Sequence, residues 1–280
     1  MTIRDYLDIE RLWRRGPVVS VLRFEGVIMP RVRRNGISLA SHARAIERAF
    51  GLRGVVAVAI VVNSPGGSPV QSALLFRRIR QLADEKGIPV VAFAEDVAAS
   101  GGYWLALAGD EIFGEETSLV GSIGVISAGF GLSEVIKRLG IERRLYTAGT
   151  RKSLLDPFLP ADPADVERLT ELQQDIHRAF KEHVRRRRAG KINNADERLF
   201  DGEVLTGHMA AERGLIDGIG ELRAVMRARY GEKVRLRPIM AERRRPIWGR
   251  LPFGAREPLA AITDLAEWAE ARLLWARFGL

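Results

Sequence analysis

The 280-residue chain contains no cysteine, which removes disulfides, thiolate nucleophiles and cysteine-bound metals from the chemistry open to it. Histidine is nearly as scarce. His42, His177, His183 and His208 are scattered and show no HExxH spacing, so neither a metal nor a cofactor is expected. No run of 18 apolar residues occurs, and a transmembrane helix is therefore not expected. Residues 1–16 carry Asp5, Asp8, Glu10, Arg11, Arg14 and Arg15 where a secretory signal would be apolar, which points to the cytoplasm. Aromatics make up only 7% of the chain, and the densest basic runs, Arg185 to Arg188 and Arg243 to Arg245, are not interleaved with them. A net charge of +9 favours anionic partners. Without stacking residues among the arginines, nucleic acid is not the expected one, which leaves peripheral contact with the anionic inner face of the cell membrane.

What is present is a 46% hydrophobic chain, long enough to bury a full core. Strand-type segments run over 17–24, 54–62, 88–94, 111–113, 141–147 and 234–238, and residues 117–126 form a glycine-broken loop entering another strand. Helices are predicted over 38–50, 69–86, 100–108, 132–139, from Asp162 to about Arg188, over 203–213 and over 221–230. The stretch Val55 to Val62 is apolar without alternation, the pattern of a parallel strand covered on both faces. Strand-then-helix units repeated at this spacing imply parallel βαβ crossovers, and the fold class is α/β. Three regions follow: a lead over 1–16, a main α/β domain over 17–240 and an amphipathic helical tail over 241–280. In the tail, Leu259, Ile262, Leu265, Ala266, Ala269, Leu273 and Ala276 recur at helical spacing beside Trp268 and Trp275. Such a stripe suits either a neighbouring subunit or the membrane surface.

One hydroxyl stands where a strand ends and a helix begins: Ser100, in Asp96-Val97-Ala98-Ala99-Ser100-Gly101-Gly102-Tyr103-Trp104. Free backbone N–H groups at such a junction are suited to stabilising an oxyanion, although serine is also a common helix cap. One βαβ unit earlier, Asn63-Ser64-Pro65-Gly66-Gly67 ends a buried strand in a turn that exposes further N–H groups. A serine nucleophile needs a base, and His42, His177 and His183 fall within helical segments. Lysine can serve if burial keeps its amine neutral. Lys152 lies in the loop Ala148 to Pro160, beside Leu154, Leu155 and Phe158, which would desolvate it, and Arg151 would disfavour its charged form.

With the loops Leu119-Val120-Gly121-Ser122-Ile123-Gly124-Val125 and Gly149-Thr150-Arg151-Lys152, these motifs make residues 17–230 resemble the signal peptide peptidase A and SohB-type serine peptidases. The resemblance implies a crotonase/Clp-like βαβ superhelix with a C-terminal helical extension. It implies Ser100 as nucleophile, Lys152 as general base, Ser122 bonding the lysine amine, and Gly101 with Gly67 or Gly66 as the oxyanion hole. The implied substrates are apolar peptides such as cleaved signal peptides and membrane-protein fragments, and the implied assembly is a homo-oligomer with sites at subunit interfaces. The chain departs from the family in lacking a membrane anchor, in the apolar Ser153-Leu154-Leu155 after Lys152, and in its aromatic tail. Two other functions fit the same turns: an acyl-CoA-binding crotonase-like enzyme and an inactive membrane-associated scaffold.

Overall fold

A strand that is apolar on both faces is stable only when both faces are covered. In a computed structural model, which describes residues 16–30, 36–149, 151–240, 269 and 272–279, residues 55–64 form such a strand near the middle of an eight-stranded sheet. The elements in chain order begin with β1 (Val18–Glu25), α1 (Leu39–Gly51), β2 (Val55–Ser64), α2 (Pro69–Lys86), β3 (Val90–Ala99) and α3 (Gly101–Ala106). They continue with β4 (Glu111–Gly114), β5 (Leu119–Gly121), α4 (Ser133–Arg138) and α5 (Pro163–Arg187). The chain then forms β6 (Val204–Thr206), α6 (Gly207–Glu212), β7 (Gly218–Ile219), α7 (Leu222–Tyr230) and β8 (Arg235–Ile239).

The strand order is β6-β5-β3-β2-β1-β8, with β4 beside β3 and β7 beside β4. Every pairing is parallel except β5 with β6. Leu22, Phe24, Val58, Ile60, Val62 and Ala92 are buried with Ile46, Phe50, Leu75 and Ile79 of α1 and α2. Val19, Val21, Ala59, Val61, Val91 and Phe93 are buried with Met226, against which Leu222 and Val225 of α7 pack. Alternate residues of each strand thus belong to separate core layers, which explains the missing polar alternation in the sequence.

The helix boundaries follow their caps. Ser38 accepts the Ser41 N–H at 3.3 Å, and the Ser41 hydroxyl returns a bond to the Ser38 backbone. Ser68 and Pro69 start α2, and left-handed Gly87 ends it. Asp162 accepts the Ala164 N–H at 2.9 Å at the start of α5. The run Arg185 to Arg188, which is conspicuous in the sequence, turns back onto its own chain. Arg187 donates to the Leu107 and Gly109 carbonyls at 2.9 Å each. Arg188, 2% exposed, donates to Gly214 O and to the Asp217 carboxylate.

Four expectations are corrected. The strand placed at 141–147 has no ladder: these residues are exposed and irregular, because nothing in the described chain offers them a partner. The helix placed at 203–213 begins as a strand, since Val204, Leu205 and Thr206 pair antiparallel with β5 before α6 starts. Residues 117–126 yield a strand only at 119–121, and β3 runs on past Ala94 to Ala99. The 1–16 lead, apart from Gly16, and the tail after residue 240, apart from 269 and 272–279, lie outside the described residues.

His183 sits between Trp104, at 4.7 Å between ring centroids, and Phe76, at 4.3 Å. Burial first, then the nearby Arg186 and Arg187 charges, lower its pKa to about 3. Between that value and the unfolded 6.5, the unfolded chain binds a proton that the folded chain does not. The stabilising contribution is therefore present above 6.5 and is lost as pH falls towards 3. Urea unfolding across this window should show His183→Gln with a pH slope shallower than wild type by about 1.4 kcal/mol per pH unit. Parallel slopes would contradict the assignment.

Candidate active site

The site is built where β2 and β3 end side by side. Ser100 follows β3 directly and takes φ 53°, ψ −121°, a left-handed conformation that L residues adopt only under constraint. Three contacts hold it there. Its N–H donates to Gly121 O at 2.8 Å, its carbonyl accepts the Trp104 N–H at 3.0 Å, and Gly66 packs against its Cβ. Below it, fully buried Tyr103 donates its hydroxyl to Leu215 O at 2.7 Å and anchors α3, burial pushing that phenol well above its ordinary pKa.

The glycines are required by approach distance. A Cβ at Gly66, φ 100°, would lie 2.7 Å from Gly101 N and 2.8 Å from both Ala99 O and the Ser100 Cβ. A Cβ at Gly67, φ 131°, would lie 2.0 Å from Ile28 O. A Cβ at Gly101 would lie 3.3 Å from Gly67 N, so the two amides are neighbours. Among the described residues neither the Gly67 N–H nor the Gly101 N–H has an acceptor, whereas the Gly66 N–H is taken by the Ser64 hydroxyl at 3.2 Å. Of the two alternatives for the first donor of an oxyanion hole, Gly67 is the amide left available.

Ser122 stands beside Ser100. The β3–β5 ladder pairs Ala99 with Gly121, so the two serines are the next residues of adjacent parallel strands. Ser122 is also left-handed, at φ 50°, and 9% exposed; its N–H donates to Glu203 O at 2.7 Å. Lys152 is not brought to them in the single chain. It is exposed, its N–H reaches Gly149 O at 3.3 Å, and no hydrogen bond joins its amine to Ser100 or Ser122 among the described residues. The apolar neighbours expected to desolvate it do not bury it within this chain. The surrounding segment leaves Ile126, Phe130, Leu139, Ile141 and Tyr146 exposed, Phe130 at 81% and Tyr146 at 89%.

Three groups at the site have no assigned role in the sequence reading. The Ser72 hydroxyl, which donates to Ser68 O at 3.0 Å, lies where a Gly101 Cβ would meet it at 2.5 Å. Asn63 and Asp96 face each other across β2 and β3 at 2.6 Å. Their positions flanking the two glycine motifs were the available signal.

Residues 83–235 match the profile of peptidase family S49. The chain belongs to peptidase family S49. A Brucella abortus protein named as the Na(+)/H(+) antiporter NhaA is 47% identical over 274 residues, covering 94% of this chain and 37% of that protein. An Enterococcus faecium protein named as a putative signal peptide peptidase SppA is 29% identical over 196 residues, covering 70% of this chain and 56% of that one. The chain thus spans little more than a third of the first and just over half of the second. A serine-to-alanine mutant of the 1510-N membrane-bound stomatin-specific protease superposes with a TM-score of 0.51 at 15% identity. It covers 81% of this chain and 99% of its own, and it establishes the shared fold, consistent with the crotonase/Clp-like class. No helix among the described residues of this S49 chain is long and apolar enough to cross a membrane.

Gly66→Ala should reduce fluorophosphonate labelling of Ser100 by at least about 100-fold and destabilise the fold by roughly 1–3 kcal/mol, because a strained, close-packed turn must open. Gly51→Ala, where nothing lies within 4 Å of the added methyl, is the control and should change neither. Labelling of Gly66→Ala at the wild-type rate would show that the turn does not shape the site.

Proposed function

We propose that this chain is a serine endopeptidase in which Ser100 attacks the peptide carbonyl, Lys152 is the general base and Ser122 orients the lysine amine. The observation carrying this reading is the strained Ser100 beside two backbone donors, Gly67 and Gly101, that have no acceptor among the described residues. The neutral lysine amine takes the Ser100 Oγ proton as Oγ bonds to the scissile carbon. The carbonyl oxygen gains negative charge between the two glycine N–H groups. Collapse breaks the C–N bond, the lysine ammonium returns the proton to the leaving amine, and water then releases the acyl group by the same steps in reverse roles. No metal or cofactor enters.

A general base needs a neutral amine, and removal from water favours that form, so this chemistry requires the Lys152 loop to be covered. The exposed Ile126, Phe130, Leu139, Ile141 and Tyr146 favour a second copy of the chain as the cover, giving a homo-oligomer with its sites at subunit interfaces. Apolar peptides, including cleaved signal peptides and membrane-protein fragments, suit a site bordered by such a surface. The name of the Enterococcus relative supports that substrate class. In the Brucella relative, a region 47% identical to this chain is continuous with a protein named as an antiporter. That continuity and the net charge of +9 support work at the anionic inner face of the membrane. The arginines and tryptophans of the 241–280 tail are the proposed contact.

Ser100→Ala and Lys152→Ala should each lower kcat/KM on an apolar peptide by at least about 10²–10⁴-fold, and the double variant should be little worse. Mixing the two inactive singles should restore activity if the pair spans an interface. Retention of more than about a tenth of the wild-type rate by Lys152→Ala would require another base.

A further inference from the structure

The ladder between β2 and β3 is interrupted just before the site. Val62 pairs with Ala94, yet the next recorded pair is Ser64 with Ala98: β2 advances two residues while β3 advances four. The two surplus residues form a bulge at Glu95 and Asp96, ahead of Val97. Bulges leave backbone groups unpaired and re-aim the strand beyond them. Here the re-aimed strand changes neighbours. Before the bulge, Val91 to Ala94 pair with β4; after it, Val97 to Ala99 pair with β5 and deliver Ser100.

One side chain spans the bulge. Asn63, 9% exposed, accepts the Val97 N–H on Oδ1 at 3.2 Å and donates from Nδ2 to the Asp96 carboxylate at 2.6 Å. Its backbone carbonyl accepts the Gly26 N–H at 3.0 Å, tying the same residue to β1. Asn63 is three residues before Gly66, and Asp96 is four before Ser100. The amide therefore connects the two strand ends immediately upstream of the turn and of the nucleophile. Glu95, the neighbour of Asp96, is engaged elsewhere, by Arg23.

We propose that Asn63 and Asp96 are a positioning pair: by closing the bulge in β3 they set the offset between Ser100 and the Gly66–Gly67 turn. The proposal rests on the peptidase reading above for its activity readout. The Asn63 side chain bonds the bulge itself, at the Asp96 carboxylate and the Val97 N–H, so the pair acts on the geometry of attack, and its loss should appear in kcat with little change in KM. A displacement near 1 Å at a reacting atom is enough to cost about 10²-fold.

A reciprocal exchange tests this. Asn63→Asp sets two carboxylates against each other. Combining Asn63→Asp with Asp96→Asn restores the bond in reverse, the new amide at position 96 donating to the new carboxylate at position 63 while the Val97 N–H keeps an acceptor. The single variant should lose roughly 10–100-fold in kcat with KM within about three-fold, and Val97 amide hydrogen exchange should accelerate. The double variant should regain kcat to within about five-fold and slow Val97 exchange again. A folded double variant that stays as impaired as the single, or a single variant with faster Val97 exchange and unchanged kcat, would overturn the pair. Should Asn63→Asp fail to fold, Asp96→Ala at its exposed position decides the matter. A loss of at least about ten-fold in kcat with an unchanged Tm supports the pair, and an unchanged kcat sinks it. A wild type without peptidase activity would refute the functional reading alone. The same comparison then uses the Ser100 fluorophosphonate labelling rate in place of kcat.

Discussion

The rest of the site depends on how closely β2 and β3 approach at their ends. Between Gly66 and Ser100 there is room for a hydrogen atom and not for a methyl group. That approach puts the Gly67 and Gly101 amides side by side and leaves Ser100 no relaxed backbone conformation. It is sustained by a sheet buried on both faces, which fixes the strands laterally, and by the Ser100-to-Gly121 and Gly26-to-Asn63 bonds, which fix their ends. Backbone strain of this kind costs on the order of 1–3 kcal/mol and persists only in surroundings that over-determine it.

The sequence made legible those features whose physics is local. Helices over 38–50, over 69–86 and from Asp162 were readable, and the structure caps them at Ser38, Ser68 and Asp162; the unbroken apolar run of β2 marked a strand covered twice. The Gly66–Gly67 turn and Ser100 were visible because only glycines permit such approach and because a serine between a strand and two glycines is conspicuous. Features set by distant partners were hidden. Val204 to Thr206 is a strand only because β5 lies beside it, and residues 141–147 lack a ladder because no strand among the described residues pairs with them. The bulge at Glu95 and Asp96 leaves no periodic signature, so the continuation of β3 to Ala99 was missed.

Lys152 marks where a single chain ceases to be a sufficient description. Ser100, Ser122 and the glycines belong to the sheet and are fixed by it, whereas residues 126–149 and 151–160 are mostly exposed or half-buried and present apolar side chains to solvent. A surface with Phe130 and Tyr146 more than four-fifths exposed is unfavourable in water. On the proposed reading, one association event covers that surface, dries the lysine and completes the site, so that peptidase activity is tied to assembly.

The most direct measurement is a structure of the assembled protein after reaction with a peptidyl phosphonate. The account predicts phosphorus bonded to Ser100 Oγ, with a phosphonyl oxygen about 2.7–3.1 Å from the Gly67 and Gly101 nitrogens. It also predicts the Lys152 amine within about 3.2 Å of the Ser100 oxygen, from the same or a neighbouring chain. An adduct oxygen turned away from both glycines, or a Lys152 still in solvent within the assembly, would contradict it.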